Sequence, residues 1–190
     1  KRLTVALTMM VVAMCAVVTM AATGDKDGRF DTVTARHIWV TNDAGKHVVG
    51  LDADDSGNGT VYTKSAKGKE LVALGATVND EGTVTSYQPN GKELVDLGST
   101  TSGGGSVTTY QPNGKALVRL GSGGGNGVVT TYQPNGKALV DLTVSDNGGL
   151  GYVYNKTGEG IAQMSADEYG NGVVWVGNRK GLGRELKPGP

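Results

Sequence analysis

Residues Thr83–Leu97 read TVTSYQPNGKELVDL, and near-copies return as SVTTYQPNGKALVRL at Ser106–Leu120 and VVTTYQPNGKALVDL at Val128–Leu142. Pro89 fixes φ, Asn90 tolerates the bridge region and Gly91 accepts positive φ. That order predicts a type I turn closed by a glycine bulge. Two strands then flank the turn, with Gln88 facing Lys92 and Tyr87 facing Glu93. Continued residue by residue, Ser86 faces Leu94, Thr85 faces Val95, Val84 faces Asp96 and Thr83 faces Leu97. Side chains alternate along a strand, so this register puts Tyr87, Thr85, Val95 and Leu97 on one face and Val84, Ser86 and Leu94 on the other. Both faces are then partly apolar, and both need cover from coiling or from other copies.

Working outward, the turn glycines fall at Gly45, Gly68, Gly91, Gly114, Gly136, Gly158 and Gly181, spaced by 23, 23, 23, 22, 22 and 23 residues. A fixed period of this length marks a repeat architecture, whose units bury their apolar faces on their neighbours. The expected fold is all-β: seven 22–23-residue hairpins over 35–187, stacked as an elongated solenoid or a trimeric prism, with no second domain. Valine and threonine suit strands, and no copy shows a 3.6-residue apolar period. The connectors Ser99–Ser106 and Ser122–Gly127 read as small, flexible surface turns. The rung after the turn runs VVGL, LVAL, LVDL, LVRL, LVDL, IAQM and finally RELK, so the last copy is a polar cap followed by a tail at 188–190.

Leu3–Ala22 is uncharged, follows Lys1 and Arg2, and precedes the polar Gly24–Arg29. A helix of that length spans a hydrocarbon core of about 30 Å. Two readings fit: a retained signal anchor over 1–23 with a linker at 24–34, or a secretory signal cleaved near Ala21 or Ala22. The apolar run exceeds the usual h-region, which favours the anchor. Lys1 and Arg2 then stay inside, and the repeats face the periplasm or the exterior of the cytoplasmic (inner) membrane. Cys15 is the only cysteine, which excludes an intrachain disulfide and a cysteine metal cluster. Eighteen basic and eighteen acidic residues leave no net charge to attract nucleic acid.

The recurrent Asn-Gly-Lys turn, its Leu/Val rung and following glycine, placed after a hydrophobic N-terminal segment, resemble uncharacterised anchored β-hairpin-repeat proteins of bacterial envelopes. More loosely, the unit length and the Y-x-x-x-G character of Tyr87–Gly91 resemble MORN-type repeats. The second strand, LVDL, departs from that family's preference for tyrosine, glutamate and glycine, so no lipid-binding role is carried across.

Few residues nominate chemistry. His47 occupies a position taken in other copies by Glu70, Glu93, Ala116 and Ala138, and His37 one taken by Thr60, Thr83, Ser106 and Val128, so neither marks a site. Asp52, Asp54 and Ser56, followed by Gly57, resemble the front half of a calcium loop, where alternating oxygens converge on a hard cation. The twelfth position is Thr63, which leaves the bidentate carboxylate missing. No phosphate loop and no nucleophile elbow is present in the sequence, and neither an enzyme nor a cofactor is expected. Tyr87, Tyr110, Tyr132 and Tyr154 form a regular row that either braces neighbouring hairpins or contacts a glycan or protein partner. The expected function is therefore that of a membrane-anchored β-repeat stalk or accessory subunit of an envelope assembly, self-associating as a trimer. The alternative is a cell-wall glycan-binding module using the tyrosine row.

Overall fold

A computed structural model describes residues 31–77 and 79–187. The expected anchor at Leu3–Ala22, Cys15 and the tail at 188–190 lie outside the described residues. Among the described residues no helix is long and apolar enough to cross a membrane. Contacts divide the chain into Lys1–Ala35 and Arg36–Pro190, and among the described residues the strands all lie in the second unit.

That unit is one antiparallel sheet of fourteen strands in sequence order. They are β1 (Ile38–Thr41), β2 (His47–Ala53), β3 (Gly59–Lys64), β4 (Glu70–Ala76), β5 (Gly82–Tyr87), β6 (Glu93–Ser99) and β7 (Gly105–Tyr110), then β8 (Ala116–Gly123), β9 (Asn126–Tyr132), β10 (Ala138–Ser145), β11 (Gly148–Tyr154), β12 (Gly160–Ala166), β13 (Gly172–Gly177) and β14 (Gly183–Leu186). The seven expected hairpins are present. They run on as a single open meander, so one chain does not coil into a solenoid.

The turn chemistry at Pro89-Asn90-Gly91 is as the residues dictate. The Gln88 amide donates to the Lys92 carbonyl at 2.7 Å, the Gly91 amide donates to the Gln88 carbonyl at 2.8 Å, and Gly91 has φ of 82°. All seven turn glycines take positive φ. The connectors are equally tight: Thr100–Gly104 closes with the same two bonds, at 2.6 and 2.8 Å. Turns therefore line both edges of the sheet. The unequal repeat spacing follows from the second edge. Where the connector is a three-residue loop the period is 23, and where it is a two-residue loop, at Gly124-Gly125 and Asp146-Asn147, the period is 22.

The register beyond the turn differs from the expected one. Tyr87 faces Glu93, but Ser86 faces Val95, Thr85 faces Asp96 and Val84 faces Leu97. Leu94 is the extra residue of a β-bulge, and one inserted residue moves every later side chain to the opposite face. Val95 and Leu97 therefore join Val84 and Ser86, and the two-sided apolar pattern is replaced by a sorted one.

The bulge recurs in six of the seven first-edge hairpins and is missing only between β13 and β14. Its effect propagates across the sheet. One unbroken row of partners runs Ile38, Leu51, Val61, Leu74, Val84, Leu97, Val107, Leu120, Val129, Leu142, Gly151, Met164, Val174 and Leu186, apolar at all but the glycine. A second row, of valine, threonine and serine from Val49 to Val153 and then Ala162, Val176 and Arg184, accompanies it on the same face. The opposite face carries Thr85, Asp96, Thr108, Arg119, Thr130 and Asp141, flanked by Tyr62 and Trp39 at one end and Tyr152 and Trp175 at the other.

A sheet with one apolar face needs a second layer. Within the described residues there is none: Val173 is the sole buried apolar residue, and no side chain is fully buried. Leu97, Leu120 and Leu142 remain 44%, 48% and 53% exposed.

Candidate functional site

The QPNGK edge is stitched by its own side chains. Gln88 is buried, and its Nε2 donates to the Glu93 carbonyl at 2.9 Å and to the Gln111 carbonyl at 3.1 Å. The first bond satisfies a carbonyl beside the bulge, where the ladder is locally interrupted, and the second reaches the next turn. Gln111 repeats both contacts with Ala116 and Gln133, at 3.4 and 3.3 Å. The bulge also forms where Asn42, Ser65 or Asn155 opens the turn, so glutamine stabilises it without being required for it. Lys92, Lys115 and Lys137 each donate Nζ to a carbonyl of the following turn, at 2.7, 2.9 and 2.5 Å. The sequence signal of these staples is the identity of the copies at Gln88, Gln111 and Gln133 and at Lys92, Lys115 and Lys137.

The four tyrosines of the row lie on the polar face, each next to the bulge of its hairpin. Row neighbours are two strands apart, about 9.5 Å at ordinary strand spacing. Among the described residues the ring pairs are His37–Trp39, Trp39–His47, Trp39–Tyr62 and Tyr152–Tyr154, so row members do not stack on one another. Glu93 stands between Tyr87 and Tyr110, and Asp141 beside Tyr154. Burial, then Glu70 and Glu93, raise the Tyr87 phenol above its ordinary range; burial, then Glu93 and Asp96, do the same at Tyr110. Tyr154 is pushed up to about 12, first by burial and then by the Asp141 carboxylate. Each of these three phenols therefore stays a neutral hydrogen-bond donor at physiological pH.

Between Tyr110 and Tyr132 the polar face holds an open groove of about 580 Å³, lined also by Asp96, Thr108, Arg119 and Lys115. A second shallow depression, about 550 Å³, lies on the apolar face over Val84, Leu97, Val107 and Leu120.

The calcium-loop residues are placed differently from one another. Asp54 opens a turn, and its Oδ1 accepts the amides of Ser56 and Asn58 at 2.9 and 2.8 Å. Those bonds, Asn58 first, hold its carboxyl below the usual range. Asp52 has other partners: its Oδ1 lies 2.5 Å from His37 Nδ1 and accepts the Ala53 amide. Ser56 contributes its backbone amide to the turn. Among the described residues no group of three or more His, Cys, Asp or Glu side chains converges to hold a metal. The two histidines frame Trp39, with ring centroids 6.1 Å away for His37 and 4.6 Å for His47.

No protein-family model matches the chain, and no curated protein matches it either.

Proposed function

We propose that the chain is a non-catalytic structural and interaction protein: a β-repeat stalk or accessory subunit of an envelope assembly, held to the cytoplasmic membrane through Leu3–Ala22 and presenting its repeats on the outer side. The observation that supports this most is the largely exposed apolar row that crosses the sheet, interrupted at Gly151 alone. Covering the exposed half of one Leu or Val contributes on the order of 1 kcal/mol. Summed over such a row, association with further copies has a large apolar drive, and trimerisation is one way to satisfy it. The full chain in detergent micelles, measured by size exclusion with light scattering, is expected to be a discrete oligomer. A monodisperse monomer with an intact β-sheet circular dichroism spectrum overturns the reading.

A second reading, a glycan-binding repeat module, is favoured by the groove between Tyr110 and Tyr132. Two aromatic rings beside Asp96 and Arg119 offer both ring-stacking area and hydroxyl-binding groups. Retention on purified cell wall is expected to drop at least tenfold in Tyr110→Ala and Tyr132→Ala. Unchanged retention by folded variants removes this reading.

A further inference from the structure

The two turn edges carry opposite charge. The seven turns of the QPNGK edge, from 42–46 to 178–182, hold nine basic and two acidic side chains, a net of seven positive charges. The six turns of the other edge, from 54–58 to 167–171, hold seven acidic side chains and no basic one. Overall neutrality conceals this, because the separation exists only once the meander sends alternate turns to opposite edges. Among the described residues the ion pairs are His37–Asp52 and Glu185–Lys187, so none of these turn charges is in one. The staple to a carbonyl uses one of three ammonium donors and leaves the charge in place.

We propose that three copies of this chain stand parallel around an axis running along the strand order, apolar faces inward, with the basic turn edge of each copy against the acidic turn edge of the next. This deepens the structural reading above and rests on it. Charge decides the orientation. Two sheets stacked with the strand order reversed set the basic edge over the basic edge, and two sheets side by side after a half turn about the sheet normal also meet through like edges. Only parallel copies bring unlike edges together, and they do so at neighbouring levels: Lys67 and Lys69, in the turn between β3 and β4, lie one strand from Asp80 and Glu81, in the turn between β4 and β5.

Width decides the number. Strands of six or seven residues make a wall about 20–23 Å wide. Three such walls lie about 6 Å from a common axis, close to half of the ~10 Å at which packed sheet faces interdigitate. Four walls lie about 10 Å or more from it and enclose a void that apolar side chains cannot fill. Two walls face to face leave the opposite edges about 10 Å apart, too far for ion-pair contact.

The test is a charge swap in the full chain in detergent at about 0.1 M ionic strength, where the Debye length is about 10 Å, read by light scattering and by the concentration at which the assembly dissociates. Wild type is expected to be a trimer. Lys67→Glu with Lys69→Glu is expected to raise the dissociation concentration at least tenfold, and adding Asp80→Lys with Glu81→Lys to restore it to within about threefold. The two edges of one chain are about 20 Å apart, beyond screening range, so rescue within a single molecule does not occur. A wild-type monomer sinks the structural reading itself. A stable dimer, an assembly indifferent to the first pair of changes, or a swap that fails to rescue sinks this proposal alone.

Discussion

The two turn edges solve the same problem with different chemistry. On the QPNGK edge every loop has three central residues, six of seven hairpins carry a bulge, and glutamine and lysine tie successive turns together. On the other edge the loops vary between two and three residues, and no hairpin is bulged. Contacts between its turns are few, such as Asn58 Nδ2 donating to Asp80 Oδ1 at 3.4 Å. The uniform edge fixes register and hence which face is apolar, whereas the variable edge only returns the chain. Insertions and composition drift are tolerated where nothing downstream depends on them.

The largest test of that contrast is Gln88→Leu. It keeps volume but leaves the Glu93 and Gln111 carbonyls without their donor in a buried position, a cost of about 2–3 kcal/mol. Chemical denaturation of the assembled chain is expected to show it as a lower midpoint with an unchanged slope. The same class of change on the other edge, Thr100→Val, removes hydroxyl bonds to Gly104 and Ser122 and is expected to cost less than half as much. Equal costs would mean that the staples add nothing to the first edge.

Next in size are the paired glycine substitutions Gly91→Ala and Gly103→Ala. Both glycines sit near φ of 80° with open space where a Cβ would go, so the penalty is conformational alone, about 1–2 kcal/mol each. Thermal unfolding is expected to rank them equally. A markedly larger effect at Gly91 would show that strain there is transmitted into the bulge.

The hairpin row was legible because its signal is local: Pro89, Asn90 and Gly91 each state a backbone requirement, and their period counts the strands. The bulge was not legible. Leu94 looks like any strand residue, and nothing in ELVDL distinguishes an inserted position from a paired one. That one residue decided the faces, which is why a pattern that reads as apolar on both sides sorts into a Val/Leu row and a Thr/Asp/Tyr face. The grouping of Tyr110, Tyr132 and Arg119 depended on the same shift. The charge separation of the edges was hidden in another way, since it needs the connectors to be seen as turns equivalent to QPNGK.

The smallest expected effect separates the edges by pH. On the QPNGK edge the turns that begin with an Asx residue use Asn42, Asn155 and Asn178, whose side-chain oxygens accept backbone amides two and four residues on. On the other edge the same role falls to Asp54 and Asp167, which accept the amides of Ser56 and Asn58 and of Tyr169 and Asn171. The asparagines do not titrate. Both aspartates are held below the ordinary carboxylate range, chiefly by the amides of Asn58 and Asn171. A carboxyl with a lowered folded-state pKa contributes stability that is present above about pH 4 and is lost as pH falls through the folded value. Below pH 4, then, the turns at 54–58 and 167–171 should loosen while those at 42–46 and 178–182 do not; the 155–159 turn is no such control, because its Glu159 carboxyl is also held low, first by the Thr157 hydroxyl. Amide hydrogen exchange at Asn58 and Asn171 is expected to accelerate relative to Lys46 and Leu182. Asp54→Asn with Asp167→Asn should abolish that acid-dependent difference, because the amide oxygen accepts the same bonds without a proton to gain. Persistence of the difference in the double variant would place its origin elsewhere on the acidic edge, and not in these two carboxylates.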